Sequence, residues 1–212
     1  MLKVPEKHHR RSIRLKEYDY TRPGAYFVTI CTHNSECLFG EIRNGTMCLN
    51  EYGNIVDIEW RRTGEKRKNI VLDAYVVMPN HFHGILFMID TRRGIPPRRD
   101  CAPTNTENDR NYRKFGEMIS GSLPAIIRSF KSAATKKINN LRNERGTPLW
   151  QRNYYEHIIR NDADLQKIRE YITNNPLKWE LDRYNPRFRV RGKKSLKKLM
   201  ERIKHEWENF SA

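Results

Sequence analysis

Long apolar runs are missing from this chain. No stretch approaches the roughly 20 residues that a membrane-spanning helix needs. The basic N-terminus (Lys3, Lys7, Arg10, Arg11, Arg14, Lys16) has no apolar core of the secretory kind. The expectation is a cytoplasmic protein with no membrane partner. Cysteine is scarce as well: Cys31, Cys37, Cys48 and Cys101 include no C-x-x-C spacing, which argues against a structural zinc site. The first three lie in or beside expected strands, as small buried thiols do. Acidic residues are outnumbered, 25 against 41 Lys and Arg, for a formal net charge of +16. Such an excess opposes folding by self-repulsion. It makes sense beside a polyanion, with nucleic acid ahead of an anionic membrane surface.

The 212 residues suffice for one domain with extensions. Residues 1–24 read as a basic arm ending in the Arg22-Pro23-Gly24 turn. Ala25–Thr32 is aromatic and β-branched, hence a strand. Leu38–Arg43 and Thr46–Leu49 flank Asn44-Gly45, the residues a type I′ hairpin turn demands. Asn50 then caps a helix to about Arg67, with Ile55, Val56 and Trp60 at helical spacing. Strands follow over Ile70–Met78 and from His81 to Ile89. Residues 91–111 read as a flexible basic loop. Phe115 to Leu141 reads as mainly one helix, its main part starting or kinking at Pro124. Tyr154–Arg160 is a last strand, Asn161 caps a helix from Asp162 to about Asn175, and Pro176 stops it. Residues 177–212 read as a basic extension with a helix over 195–210.

Without the small hairpin, the order is strand, helix, strand, strand, helix, strand, helix. The first six elements match the α+β ferredoxin-like βαββαβ arrangement, an antiparallel sheet with two helices on one face. The seventh must go to the other face. In His81-Phe82-His83, alternation along a strand turns both imidazoles the same way. They can grip one divalent ion, or they can be hydrogen-bonded residues of a packed sheet. Topology brings the 162–175 helix to the same face. Tyr171 and Asn175, four apart, share one side of that helix; on pattern alone Tyr171 reads first as an aromatic at the edge of a buried stripe, one of ten tyrosines.

Several stretches carry a family resemblance in order: Tyr26–Thr32, Leu38-Phe39-Gly40, the hairpin at Asn44-Gly45, Met78-Pro79-Asn80-His81-Phe82-His83, Trp150-Gln151-Arg152 with Glu156-His157-Ile158-Ile159-Arg160, and Tyr171-Ile172-Thr173-Asn174-Asn175-Pro176. Over roughly residues 20–180 the chain resembles the single-tyrosine transposases with a histidine–hydrophobe–histidine motif, most closely the REP-associated tyrosine transposases. The resemblance implies a metal-dependent transesterase that cuts and rejoins single-stranded DNA, beside hairpin-forming repeat ends, through a 5′-phosphotyrosine link. It implies Tyr171 as nucleophile and His81, His83 and Asn175 as ligands of Mg²⁺ or Mn²⁺. The insertion-sequence branch usually has Gln where Asn175 stands. His157, Gln151, Arg160 and Trp150 become candidate active-site or DNA-contact residues; a metal-bound water and His157 are the candidates for removing the phenol's proton. Relatives act as monomers or homodimers, and a bacterial nucleoid-associated setting is implied.

Two other classes compete. A ferredoxin-like DNA- or RNA-binding module without catalysis, including a domesticated transposase, explains charge and fold. An unrelated metal-dependent hydrolase would want more carboxylates near the histidines, where Asp73 and Asp90 are the only close candidates.

Overall fold

The computed structural model describes residues 18–90 and 119–187. The expected basic loop at 91–111, the 195–210 helix and most of the N-terminal arm lie outside them. In chain order come β1 (Gly24–Cys31), β2 (Gly40–Arg43), β3 (Thr46–Leu49), α1 (Glu51–Glu65), β4 (Ile70–Met78), β5 (His81–Met88), α2 (Leu123–Leu141), β6 (Tyr155–Ile159) and α3 (Asp162–Asn174).

The main sheet has strand order β4-β5-β1-β6, and every neighbouring pair is antiparallel. That is the ferredoxin-like order, so the α+β expectation holds. Alternation divides the strands between two cores. Tyr26, Val28 and Ile30 of β1 and Phe82 and Leu86 of β5 face α1 and α2, where Val56, Trp60, Ile126, Phe130 and Ile138 close the larger core. Ala25 and Phe27 of β1, Ile85 and Ile159 face Leu165 and Ile172 of α3. Gly84 lies under Trp60: an added Cβ would stand 2.8 Å from its ring and 2.7 Å from Phe82. The β2–β3 hairpin turns at Asn44 (φ 50°) and Gly45 (φ 72°), as the Asn-Gly pair predicts.

Helix starts are capped, at Asn50 and Asn161 as read and at Ser122 in addition. Asn50, Ser122 and Asn161 accept hydrogen bonds from the backbone N–H of Gly53, Ala125 and Asp164. The middle helix begins at Leu123, with Pro124 in its first turn, where proline's missing N–H costs nothing. Two expectations need correction. Cys37 and Cys48 are exposed, because on β3 Met47 and Leu49 face inward and Cys48 points away. Residues 18–23 join the body, since Tyr18 and Tyr20 pack against Tyr26 and Leu123 N donates to the Tyr20 carbonyl. Among the described residues, no helix is long and apolar enough to cross a membrane.

Candidate active site

The second core leaves one end of its sheet face to polar groups, and these converge. His81 and His83 are fully buried on β5. Each has its Nδ1 engaged from behind. Asn80, in the tight turn before β5, donates through Nδ2 to the carbonyls of Ser35 (3.0 Å) and Tyr184 (2.7 Å). Two carbonyl partners fix which way its amide points, so Asn80 Oδ1 is the atom 2.9 Å from His81 Nδ1. A carbonyl oxygen only accepts. His81 therefore carries its proton on Nδ1 and turns a bare Nε2 into the cluster. Thr29 Oγ1 meets His83 Nδ1 at 2.8 Å across the β1–β5 register.

The chain past α3 closes over them. Residues 179–181 form one 3-10 turn, and Asp182 follows. Asp182 Oδ1 accepts from Tyr184 N at 2.7 Å, while Oδ2 stands 3.7 Å from His81 Nε2. The rings of Tyr184 and Trp179 lie 4.7 and 6.0 Å from that of His81. Ligand atoms of His81, His83 and Asp182 all lie within 4.8 Å of one another, the one such histidine–carboxylate cluster among the described residues.

Electrostatics follow burial. Desolvation pushes His81 down to about 3 and His83 well below its ordinary value, with the Arg183 charge adding to both. Both imidazoles are thus neutral, the form that binds metal. Burial raises Asp182, and the Tyr184 N–H, Arg183 and Asn175 partly offset that. Asn175, 3% exposed, lies against His81, Tyr171 and Asp182. No hydrogen bond of ordinary geometry closes on His81 Nε2 or Asn175 Oδ1, although both are buried. A buried lone pair without a donor is costly. A divalent cation would satisfy both atoms, so the residues present fit one.

Tyr171, near the end of α3, reaches the same spot. Its hydroxyl is 3.1 Å from His83 Nε2, and its ring stands edge-on to His83 and Phe27. The residue remains 41% exposed. Burial of the phenol and the nearby Asp182 charge push it up to about 12, opposed by Asn175 and Arg183. Two contacts hold α3 in place. Arg169 grips the Asp73 carboxylate, which projects from the bulge in β4, with Nε 3.0 Å from Oδ2. His157 Nε2 lies 2.8 Å from Asp164 Oδ2.

The sequence-predicted residues divide accordingly. His81, His83, Tyr171 and Asn175 come together. His157 does not join them: Asp164, which holds it, precedes Tyr171 by seven positions, about 10 Å along a helix. Trp150 is a core residue, 6% exposed between Phe39 and Phe130. Its backbone bridges Thr32. Gln151 is exposed, its backbone N–H bonded to the Cys31 carbonyl and its own carbonyl to Lys131. Arg160 is exposed just before the α3 cap. Sequence reasoning missed Thr29, Asn80 and above all Asp182. Asp182-Arg183-Tyr184-Asn185-Pro186 is a turn signal, and an acidic side chain there, in a basic tail, was the available clue.

No family model matches the chain. It is 42% identical over 175 residues to an uncharacterized protein of Haemophilus influenzae, spanning 82% of this chain and 92% of that one. A second Haemophilus influenzae protein, named "Putative REP-associated tyrosine transposase", is 26% identical over 164 residues, 76% of this chain and 74% of that one. The chain is thus similar to a protein named as a REP-associated tyrosine transposase. His81-Phe82-His83 lies within the matched region as a histidine–hydrophobe–histidine triplet. A solved structure of a REP-associated tyrosine transposase bound to a REP hairpin is also similar, with 19% identity, 78% and 74% coverage and a TM-score of 0.48.

Proposed function

We propose that this chain is a metal-dependent single-strand DNA transesterase, with Tyr171 as nucleophile and a divalent cation held by His81, His83 and Asp182. The observation that carries the reading is the meeting of Tyr171 with the cluster: a phenol 3.1 Å from His83 Nε2, beside a bare, buried His81 Nε2 and a carboxylate. Asn175, buried beside His81, Tyr171 and Asp182 with its Oδ1 unpartnered, is a candidate fourth donor. Two imidazoles and a carboxylate suit Mn²⁺ or another transition ion better than Mg²⁺. When bound, such an ion polarises a phosphate oxygen and draws off developing charge.

The protein's own groups do the rest. Tyr171 attacks the phosphorus, its Oη–P bond forms, and the P–O3′ bond breaks. The phenolic proton must leave, and the free 3′-oxygen takes one up. Asn175 and Arg183 favour the phenolate; burial and Asp182 oppose it. The 5′-phosphotyrosine keeps the phosphodiester energy, so a second 3′-hydroxyl can reverse the step and rejoin strands. The Tyr171 ring is half in the open, as a nucleophile for an extruded strand must be. The net charge of +16 supports a nucleic-acid substrate. Unpaired DNA beside a hairpin is the substrate we infer, as a nucleophile carried on a helix end meets an extruded strand more readily than a phosphate within duplex.

The test is adduct formation. With Mn²⁺ and labelled hairpin DNA carrying single-stranded flanks, a denaturation-resistant protein–DNA species is expected, lost in Tyr171→Phe and kept in Tyr155→Phe. An adduct that survives Tyr171→Phe overturns the assignment. Asp182 also supplies the carboxylate that a hydrolase would want beside the histidines. Cleavage with no adduct selects that reading, and wild-type binding with neither selects a non-catalytic module.

A further inference from the structure

β6 is an edge strand, and Tyr155 is its first residue. Tyr155 pairs with Thr29, and Thr29 pairs with His83. The three form one row across the sheet, on the face that carries α3. α3 does not cover that row evenly. It begins directly after β6, holds His157 through Asp164 in its first turn, and reaches Asp73 of β4 through Arg169. The helix therefore crosses the sheet diagonally and leaves open the corner where β6 starts.

That corner is aromatic. Tyr155 is 46% exposed and Tyr171 41%, the two aromatic members of the exposed large apolar side chains among the described residues. Both stand edge-on to one ring, Phe27, with centroids 6.4 and 6.1 Å away. Phe27 is itself buried and stacked on His83 at 5.4 Å. Along the row, Thr29 and His83 are buried and only Tyr155 opens outward. The residues leading into it, Gln151, Arg152 and Asn153, are exposed and polar or basic. A lone surface tyrosine signifies little. One that shares a buried aromatic neighbour with the candidate nucleophile, at an uncovered corner of that face, is placed to meet what the nucleophile meets.

We propose that the Tyr155 ring is a stacking shelf for one unpaired nucleobase of the strand offered to Tyr171. The identity of that strand rests on the transesterase reading. Two strand spacings, about 10 Å, separate Tyr155 from His83, so the shelved base belongs to a nucleotide next to the scissile phosphate. Stacking tolerates any base, because each has a π-face. The shelf registers the presence of a base and holds the phosphate in line. It does not read sequence.

The test uses the full chain in a Tyr171→Phe background, which prevents chemistry and needs no metal. The probe is a DNA hairpin with oligo-dT flanks in which single positions are replaced by 2-aminopurine or by an abasic residue. The parent and Tyr155→Phe should quench 2-aminopurine at one flank position. Tyr155→Leu, at an exposed site that tolerates the change, should lose that quenching and bind roughly ten-fold more weakly, the scale of one base–aromatic stack. An abasic residue at that position should bring the parent and the Tyr155→Leu variant to equal affinity. The shelf is overturned if Tyr155→Leu binds every probe like its parent, or if its deficit persists undiminished on the abasic probe. A wild type that forms no adduct yet shows this position-specific stack keeps the shelf and loses the transesterase reading. A protein that binds none of the probes loses both.

Discussion

His81 owes its chemistry to a neighbour in the turn. Asn80 directs two donors to backbone carbonyls and leaves its oxygen to orient the imidazole. Asn80→Ala should lower Mn²⁺ affinity by about 10- to 100-fold, the range for partners that orient metal-binding histidines; titration calorimetry on the isolated protein measures it. Asp182→Asn keeps size and removes the charge, and should weaken Mn²⁺ at least as much. Equal affinity for wild type and Asp182→Asn would remove Asp182 from the ligand set. The buried histidines also give acid sensitivity a sign. His81 falls from an ordinary 6.5 to about 3, so the unfolded chain binds its proton more readily than the folded one. Its contribution to stability is present above pH 6.5 and is lost as pH falls toward 3, at about 1.4 kcal/mol per pH unit. Urea unfolding of the metal-free protein at about pH 6.5 and about pH 4.5, inside that window, should show the loss, and His81→Gln should reduce it, leaving the part that buried His83 contributes.

At the scale of elements, under the proposed reading, α3 brings the nucleophile and β5 brings the ligands, so their relative position is itself a functional quantity. The Arg169–Asp73 pair is partly exposed and contributes at most about 1 kcal/mol to stability. Its larger effect is on aim. Arg169→Met should leave the melting temperature within a few degrees and lower the rate of adduct formation several-fold, because small misplacements at a reacting centre are costly. An unchanged rate would make the pair structural only. These elements were legible in the sequence because each has a local signature. Asn-Gly announced its hairpin, two asparagine caps announced two helices, Pro124 marked the start of a third, and period-2 alternation put His81 and His83 on one face. Asp182 was not legible. Its role depends on the chain turning back over β5 after Pro176, and the bond that secures the turn, Asn80 Nδ2 to the Tyr184 carbonyl, joins positions 104 residues apart. Trp150 misled for the opposite reason. A Trp beside Gln and Arg reads like a contact surface, and only the fold shows Phe39 and Phe130 around it.

For the whole molecule, charge dominates. Affinity for single-stranded DNA should fall steeply with salt, log affinity dropping by about 0.7 per tenfold rise for each phosphate contacted. Removing 188–212, which carries eight Lys and Arg between Arg189 and Lys204, should reduce that slope while leaving the adduct's dependence on Tyr171 intact. Filter binding across a salt series checks both. An unchanged slope would place the phosphate contacts elsewhere.

The two halves of the site also differ in how they are joined to the chain. Thr29, Asn80, His81 and His83 are built into the sheet, whereas Tyr171, Asn175 and Asp182 ride on one continuous segment within twelve residues. Any motion that carries Tyr171 away, with or without a strand attached, also pulls on Asp182 and opens the cluster. Under the proposed reading, release of the cargo end and loss of grip on the cation are one mechanical event. An interrupted reaction would then leave the broken strand tethered to a machine already disarmed, unable to cut again until that segment returns.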